Sequence, residues 1–126
     1  MLDLIIKNGL CYINKDLKDQ DIAIKDGKII EIGKIHDETK EVFDAKGLTV
    51  LPGCIDTQTH FREPGSTDTE DLNSGSRAAI AGGITSVFEM PNTNPPTSNK
   101  VEFQKKLDIA KNRMYCNYAF YFGATA

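Results

Sequence analysis

Apolar and polar positions change their rhythm once along this chain, near Pro52-Gly53. Before that point the rhythm is that of strands. Leu2, Leu4 and Ile6 alternate with Asp3 and Lys7, and Asn8-Gly9 offers a turn. Ile22 and Ile24 alternate before Asp26-Gly27, and Ile30 and Ile32 alternate after it. Asp-Gly between two alternating runs predicts a tight hairpin, because glycine accepts the positive φ the turn requires. Val42 to Val50 reads as a further strand pair turning at Lys46-Gly47. A sheet of three or four such strands buries little by itself.

After Pro52-Gly53 strands and helices alternate. Cys54-Ile55-Asp56 is a short strand that runs into a polar stretch ending at Glu63-Pro64-Gly65. Thr67 with Glu70 matches a capping box for a helix reaching about Ala81. Leu72, Gly75, Ser76 and Ala79 fall on one face of that helix, and Gly82-Gly83 ends it. Ile84 to Met90 is the next strand, with Phe88 and Met90 expected in the core. Asn99 with Glu102 caps a second helix whose apolar face is Phe103, Leu107, Ala110 and Met114. Tyr115 to Phe122 is a third strand. Strand, helix, strand, helix, strand with short loops predicts parallel βαβ units. The two units are therefore placed at 1–52 and 53–126. A closed eight-stranded barrel takes about 250 residues, so the second unit is either a small open sheet or the first part of a larger barrel.

Composition narrows the class. With 126 residues, 40% hydrophobic and 26% charged, the chain reads as an ordinary globular protein. A net charge of −3 and a pI near 5.3 argue against a nucleic-acid-binding role. No run of about 18 apolar residues predicts a membrane helix. The N-terminus lacks the basic start and long apolar core of a signal peptide. Cys11, Cys54 and Cys116 form no CxxC pair, which favours free thiols and a cytoplasmic location.

Candidate chemistry lies at the strand ends. Residues 52–65 read Pro-Gly-Cys-Ile-Asp-Thr-Gln-Thr-His-Phe-Arg-Glu-Pro-Gly, and residues 90–96 read Met-Pro-Asn-Thr-Asn-Pro-Pro. Together with Ser74 to Thr85 these stretches resemble dihydroorotase, a member of the cyclic amidohydrolases, whose first motif carries two histidines one residue apart. The resemblance implies an α/β fold: the start of a (β/α)8 TIM-type metal-dependent hydrolase barrel, about three strands of it, preceded by a small β-sandwich module. It implies reversible interconversion of N-carbamoyl-L-aspartate and L-dihydroorotate in pyrimidine biosynthesis, with one or two zinc ions. Allantoinase-like or hydantoinase-like hydrolysis, and a non-catalytic scaffold subunit of aspartate carbamoyltransferase, are the alternatives.

Residue by residue, the resemblance makes His60 a metal ligand and puts Gln58 where the family's first histidine stands. An amide oxygen is a poorer zinc ligand than imidazole. It makes Arg62 and Asn92 substrate-binding residues, and a planar guanidinium suits a carboxylate. No catalytic residue of the family falls within this chain, which is expected to be the N-terminal piece of a longer protein and inactive alone. The expected partners are a small-molecule substrate, a second copy of the chain in a homodimer, and aspartate carbamoyltransferase, with no nucleic acid and no membrane. Glu63 and Asp56 read as structural, His36 as surface, and Asp68, Glu70 and Asp71 as favourable charges near a helix N-terminus.

Overall fold

The longest apolar alternation of the chain forms its longest strand, β1 (Leu2–Ile13). In the computed structural model, which describes residues 1–124, the chain divides into a unit over Met1–Pro52 and a unit beginning at Gly53. In the first, β1 pairs antiparallel with β2 (Asp16–Lys25), which pairs antiparallel with β3 (Lys28–Gly33). The Asp26-Gly27 hairpin forms as predicted, with φ of 51° and 71° at its two central residues and Lys25 opposite Lys28. The expected turn at Asn8-Gly9 does not form. Asn8 adopts φ 60° and the register shifts between Ile6 and Gly9, so the strand bulges and continues. Buried Asp21 holds the bulge in place: it accepts the Asn8 N–H at 3.1 Å and the Ile35 N–H at 3.2 Å.

Val42 to Val50 also differs from expectation. β4 (Thr39–Asp44) and β5 (Thr49–Val50) do not pair with each other; each runs parallel to β1, one beside Leu2 to Lys7 and the other beside Leu10 and Cys11. The unit is one five-stranded sheet, and this sheet represents the sandwich module among the described residues. Leu2, Ile5, Ala23 and Ile35 form its apolar cluster.

The second unit is a three-stranded parallel sheet in the order β6 (Cys54–Thr59), β7 (Ile84–Glu89), β8 (Asn117–Phe120). Helices α1 (Leu72–Ala81) and α2 (Lys100–Ala110) connect successive strands. The cap of α1 lies four residues beyond the Thr67 expected from sequence. Thr69 and Glu70 N–H groups turn back to Ser66 O, and Asp71 is the cap, its carboxylate accepting the Ser74 N–H at 2.6 Å while Ser74 Oγ accepts the Asp71 N–H at 3.1 Å. Asp71 is thereby held below the usual carboxylate pKa, chiefly because of the Ser74 amide; Asp68 and Glu70 lie outside the helix. Asn99 caps α2 as expected, accepting the Glu102 N–H at 3.0 Å.

Phe61, Leu72, Ala79, Val87, Ala110 and Cys116 form the core of this unit. Leu72 is fully buried, worth about 1.5–3 kcal/mol of transfer free energy. Two expectations for the core are corrected. Phe88 is 38% exposed and meets the edge of Tyr121 with ring centroids 6.1 Å apart, and Met90 is half-buried; the inward positions of β7 are Val87 and Glu89. On α2 the buried line runs through Lys106 and Ala110, with Phe103, Leu107 and Met114 only half-buried. No helix among the described residues is long and apolar enough to cross a membrane.

Candidate active site

The polar stretches singled out in the sequence are the loops that leave β6 and β7 at their C-terminal ends. In α/β barrels the chemistry sits at that end of the strands. The structure joins the two loops. Met90 N–H donates to Thr59 O at 2.9 Å and Asn94 N–H donates to Pro64 O at 3.0 Å. Thr59 Oγ1 donates to Phe88 O at 3.3 Å. Gly65, at φ 111°, lets the backbones meet: a Cβ there would lie 2.6 Å from Asn94 Cβ.

His60 and Asn92 come together across this junction, with His60 Nδ1 and Asn92 Oδ1 2.9 Å apart. With the amide oxygen turned to the ring, Nδ1 is the donor and Nε2 is left for another partner. A second group that fixes the tautomer in this way is the usual support of a metal-binding imidazole. Asn92 accepts through Oδ1, so this contact uses neither of its amide hydrogens.

Gln58 lies in an irregular part of β6. Asp56 pairs with Val87 and Thr59 with Glu89, so one more residue lies between these pairs on β6 than on β7. This bulge spans Thr57 and Gln58, and the simple alternation that would put Gln58 and His60 on one face is interrupted there. Asp56 turns back along the chain to accept the Gln58 N–H at 2.9 Å, a structural role. Gln58 is exposed, as is Arg62, and neither side chain bonds to His60 or Asn92. Arg62 adopts φ 64°, a left-handed conformation that costs a side-chain-bearing residue about 1–3 kcal/mol and persists where its surroundings enforce it.

Those surroundings are visible on both sides of Arg62. Phe61 is rooted in the apolar core, and its N–H donates to Glu89 Oε1 at 3.2 Å. Glu63 accepts the Leu72 N–H at 2.9 Å and Arg113 Nη1 at 2.8 Å, and Arg113 Nη2 also stands 3.7 Å from Asp71. Beneath Phe61, Glu89 Oε2 faces Lys106 Nζ at 2.7 Å, both side chains essentially without solvent exposure. Burial, the strongest influence, pushes the Glu89 carboxyl above its ordinary pKa; Lys106, the Phe61 amide and His60 oppose it. Sequence patterns did not single out Glu89, Lys106 or Arg113. The available signal was a carboxylate inside the apolar run Ile84–Met90 and a lysine between Phe103 and Ala110.

As a metal site these residues supply one corner. His60 offers Nε2, and among the described residues no three His, Cys, Asp or Glu side chains converge.

The chain as a whole has close counterparts in known proteins. The Amidohydrolase family matches residues 49–125. The chain belongs to the amidohydrolase family. It is 45% identical over 113 residues to an allantoinase of Escherichia coli O1:K1, a match covering 89% of this chain and 25% of that protein. The L-hydantoinase (dihydropyrimidinase) of Arthrobacter aurescens superposes with a TM-score of 0.89 at 32% identity, covering 98% of this chain and 28% of that one. The D-hydantoinase (dihydropyrimidinase) of Thermus sp. superposes with a TM-score of 0.78 at 30% identity, covering 96% and 27%. The chain thus spans about a quarter of the length of these relatives. It has the architecture of the N-terminal part of the amidohydrolase barrel enzymes, with a β-rich module before it. Members of this family generally use a binuclear metal centre, commonly zinc. Where the motifs favour dihydroorotase, the matching relatives are named allantoinase and hydantoinase; the amidohydrolase family is shown, and dihydroorotase in particular is not.

Proposed function

We propose that this chain carries the first two site loops of a metal-dependent hydrolase that opens a cyclic amide, with the hydantoin ring of allantoin as the substrate best supported. The names allantoinase and hydantoinase share that five-membered ring, and the 45% identity to the E. coli allantoinase is the observation that carries the reading. In it, His60 presents Nε2 to the metal, held in that tautomer by Asn92. Gln58 stands at the neighbouring ligand position with an amide oxygen. A bound zinc-type ion supplies Lewis acidity to the ring carbonyl and a more acidic water. Arg62 binds the substrate's oxygens with its fork of donors, and the Asn92 amide hydrogens donate to a ring carbonyl.

One observation favours dihydroorotate as the second reading. Arg62 carries an exposed guanidinium, and a bidentate pair with a carboxylate is its strongest use; dihydroorotate has that carboxylate and allantoin has none. The deciding experiment presents allantoin, a 5-substituted hydantoin and dihydroorotate to the protein purified from its own cells with metal retained. Ring opening of allantoin above the other two is expected. Turnover of dihydroorotate with allantoin untouched would establish the second reading, and no turnover of any cyclic amide would overturn both.

A further inference from the structure

The pair Glu89–Lys106 is the one fully buried ion pair among the described residues, and neither member reaches the surface where substrate would arrive. Its geometry gives it a different task. Glu89 is the last residue of β7, three positions before Asn92. Its Oε1 accepts the N–H of Phe61, the residue directly after His60, at 3.2 Å. Lys106 approaches from α2; its Nζ donates to Met90 O at 3.3 Å, two residues before Asn92, and lies 5.1 Å from the centre of the Phe120 ring. The pair therefore touches the backbone of both loops at their roots, and the tips of those loops carry His60 and Asn92.

A buried ion pair is a poor device for stability alone, since desolvation offsets the attraction, and apolar residues of similar size often do as well. The Phe61 amide has Glu89 as its acceptor, and a buried N–H without one is costly. Oε2 has no hydrogen bond of good geometry and relies on Lys106 for its counter-charge. Lys106 thus keeps a carboxylate in place whose other oxygen holds the His60 loop.

We propose that Glu89 is a positioning residue: from beneath the site its Oε1 fixes the Phe61 amide, and so sets the His60–Asn92 contact, while Lys106 serves as the counter-charge of the buried carboxylate. The inference deepens the hydrolase reading and assumes it only in giving that contact a use. Its geometry is independent of any substrate.

The chain has two histidines, His60 and exposed His36, so nitrogen-detected NMR of the imidazoles resolves each. The wild type is expected to show His60 with its hydrogen on Nδ1 and a slowly exchanging Phe61 amide. Glu89→Gln with Lys106→Met removes both charges and keeps an oxygen for the Phe61 amide; it is expected to leave the His60 tautomer unchanged. Glu89→Leu with Lys106→Met removes the acceptor too. There His60 is expected to pass to the Nε2–H form that an unrestrained neutral imidazole favours, and the Phe61 amide to exchange at least about tenfold faster. A merely structural pair would make the two double variants alike. The proposal is overturned if the folded Leu/Met variant keeps both the His60 tautomer and the Phe61 protection, or if the Gln/Met variant loses them. Should the Leu/Met variant not fold, the wild type and the Gln/Met variant decide: a Phe61 amide exchanging at the unprotected rate in the wild type also overturns it. The readout needs neither metal nor substrate, so its failure and a failure of the ring-opening assay are separate results.

Discussion

Gly75→Ala sets two effects of opposite sign against each other at the base of the site. Gly75 lies inside α1, where replacing glycine by alanine ordinarily stabilises by about 1 kcal/mol through backbone entropy. Gly75 is buried against the Phe61 ring, however. An added Cβ would stand 2.7 Å from Phe61 Cγ and 2.8 Å from Cε1, where carbon atoms in contact prefer roughly 3.5–4.0 Å. The ring has little room to retreat, because Phe61 is 7% exposed and its backbone is held by Glu89. Overpacking a well-filled core costs about 1–3 kcal/mol, and a rigid aromatic fixed at its backbone belongs at the upper end. The net effect is a loss of about 1–2 kcal/mol, a fall in melting midpoint of about 4–16 °C for a unit of this size. Thermal and urea unfolding followed by circular dichroism measure it. Ala78→Gly, at an exposed position of the same helix, is the reference, because it loses about 1 kcal/mol by propensity alone. A Gly75→Ala protein as stable as wild type would refute the claim that Phe61 and α1 are packed in contact.

Three further outcomes are expected. Asp71→Ala lowers the urea midpoint and Thr67→Ala leaves it unchanged, because Asp71 alone caps α1; the reverse result would restore the cap expected from sequence. For Asp21, burial pushes the pKa up, but the amides of Asn8 and Ile35 with Lys7 and Lys34 outweigh it, so the folded value lies below the ordinary one of about 3.9. Its contribution is therefore fully present above about pH 4 and lost as pH falls through the folded value, and Asp21→Asn flattens that part of an acid titration of the denaturant midpoint; an unchanged acid limb in the variant would contradict this. Gln58→His binds zinc more tightly than the parent by calorimetric titration, because imidazole is the better ligand; equal affinity would remove Gln58 from the ligand position.

Some of this structure was legible in the residues and some was not, for physical reasons. The Asp26-Gly27 hairpin, the buried face of α1 and the Asn99 cap depend on neighbours within a few positions, and each forms as read. Thr67-Asp-Thr-Glu70 has the spacing of a capping box, yet the helix starts where burial of Leu72 begins, and Asp71 with Ser74 supplies the same chemistry four residues later. The parallel pairing of β4 and β5 with β1 is non-local, so no turn residue announces it. His60 and Asn92 were recognisable by motif, but their contact belongs to the fold. No pattern singled out Lys106; only the position of Glu89 beneath Phe61 explains its burial.

The central claim is that His60, held by Asn92, serves a metal-dependent ring opening. The most direct test compares allantoin hydrolysis and bound zinc in the native protein and in His60→Ala. Loss of a group that supports a metal ligand already costs about 10–100-fold in metal affinity or activity, so loss of the ligand itself is expected to lower turnover by more than about 100-fold, with bound zinc reduced. A folded His60→Ala protein that keeps both its zinc and its turnover would contradict the account.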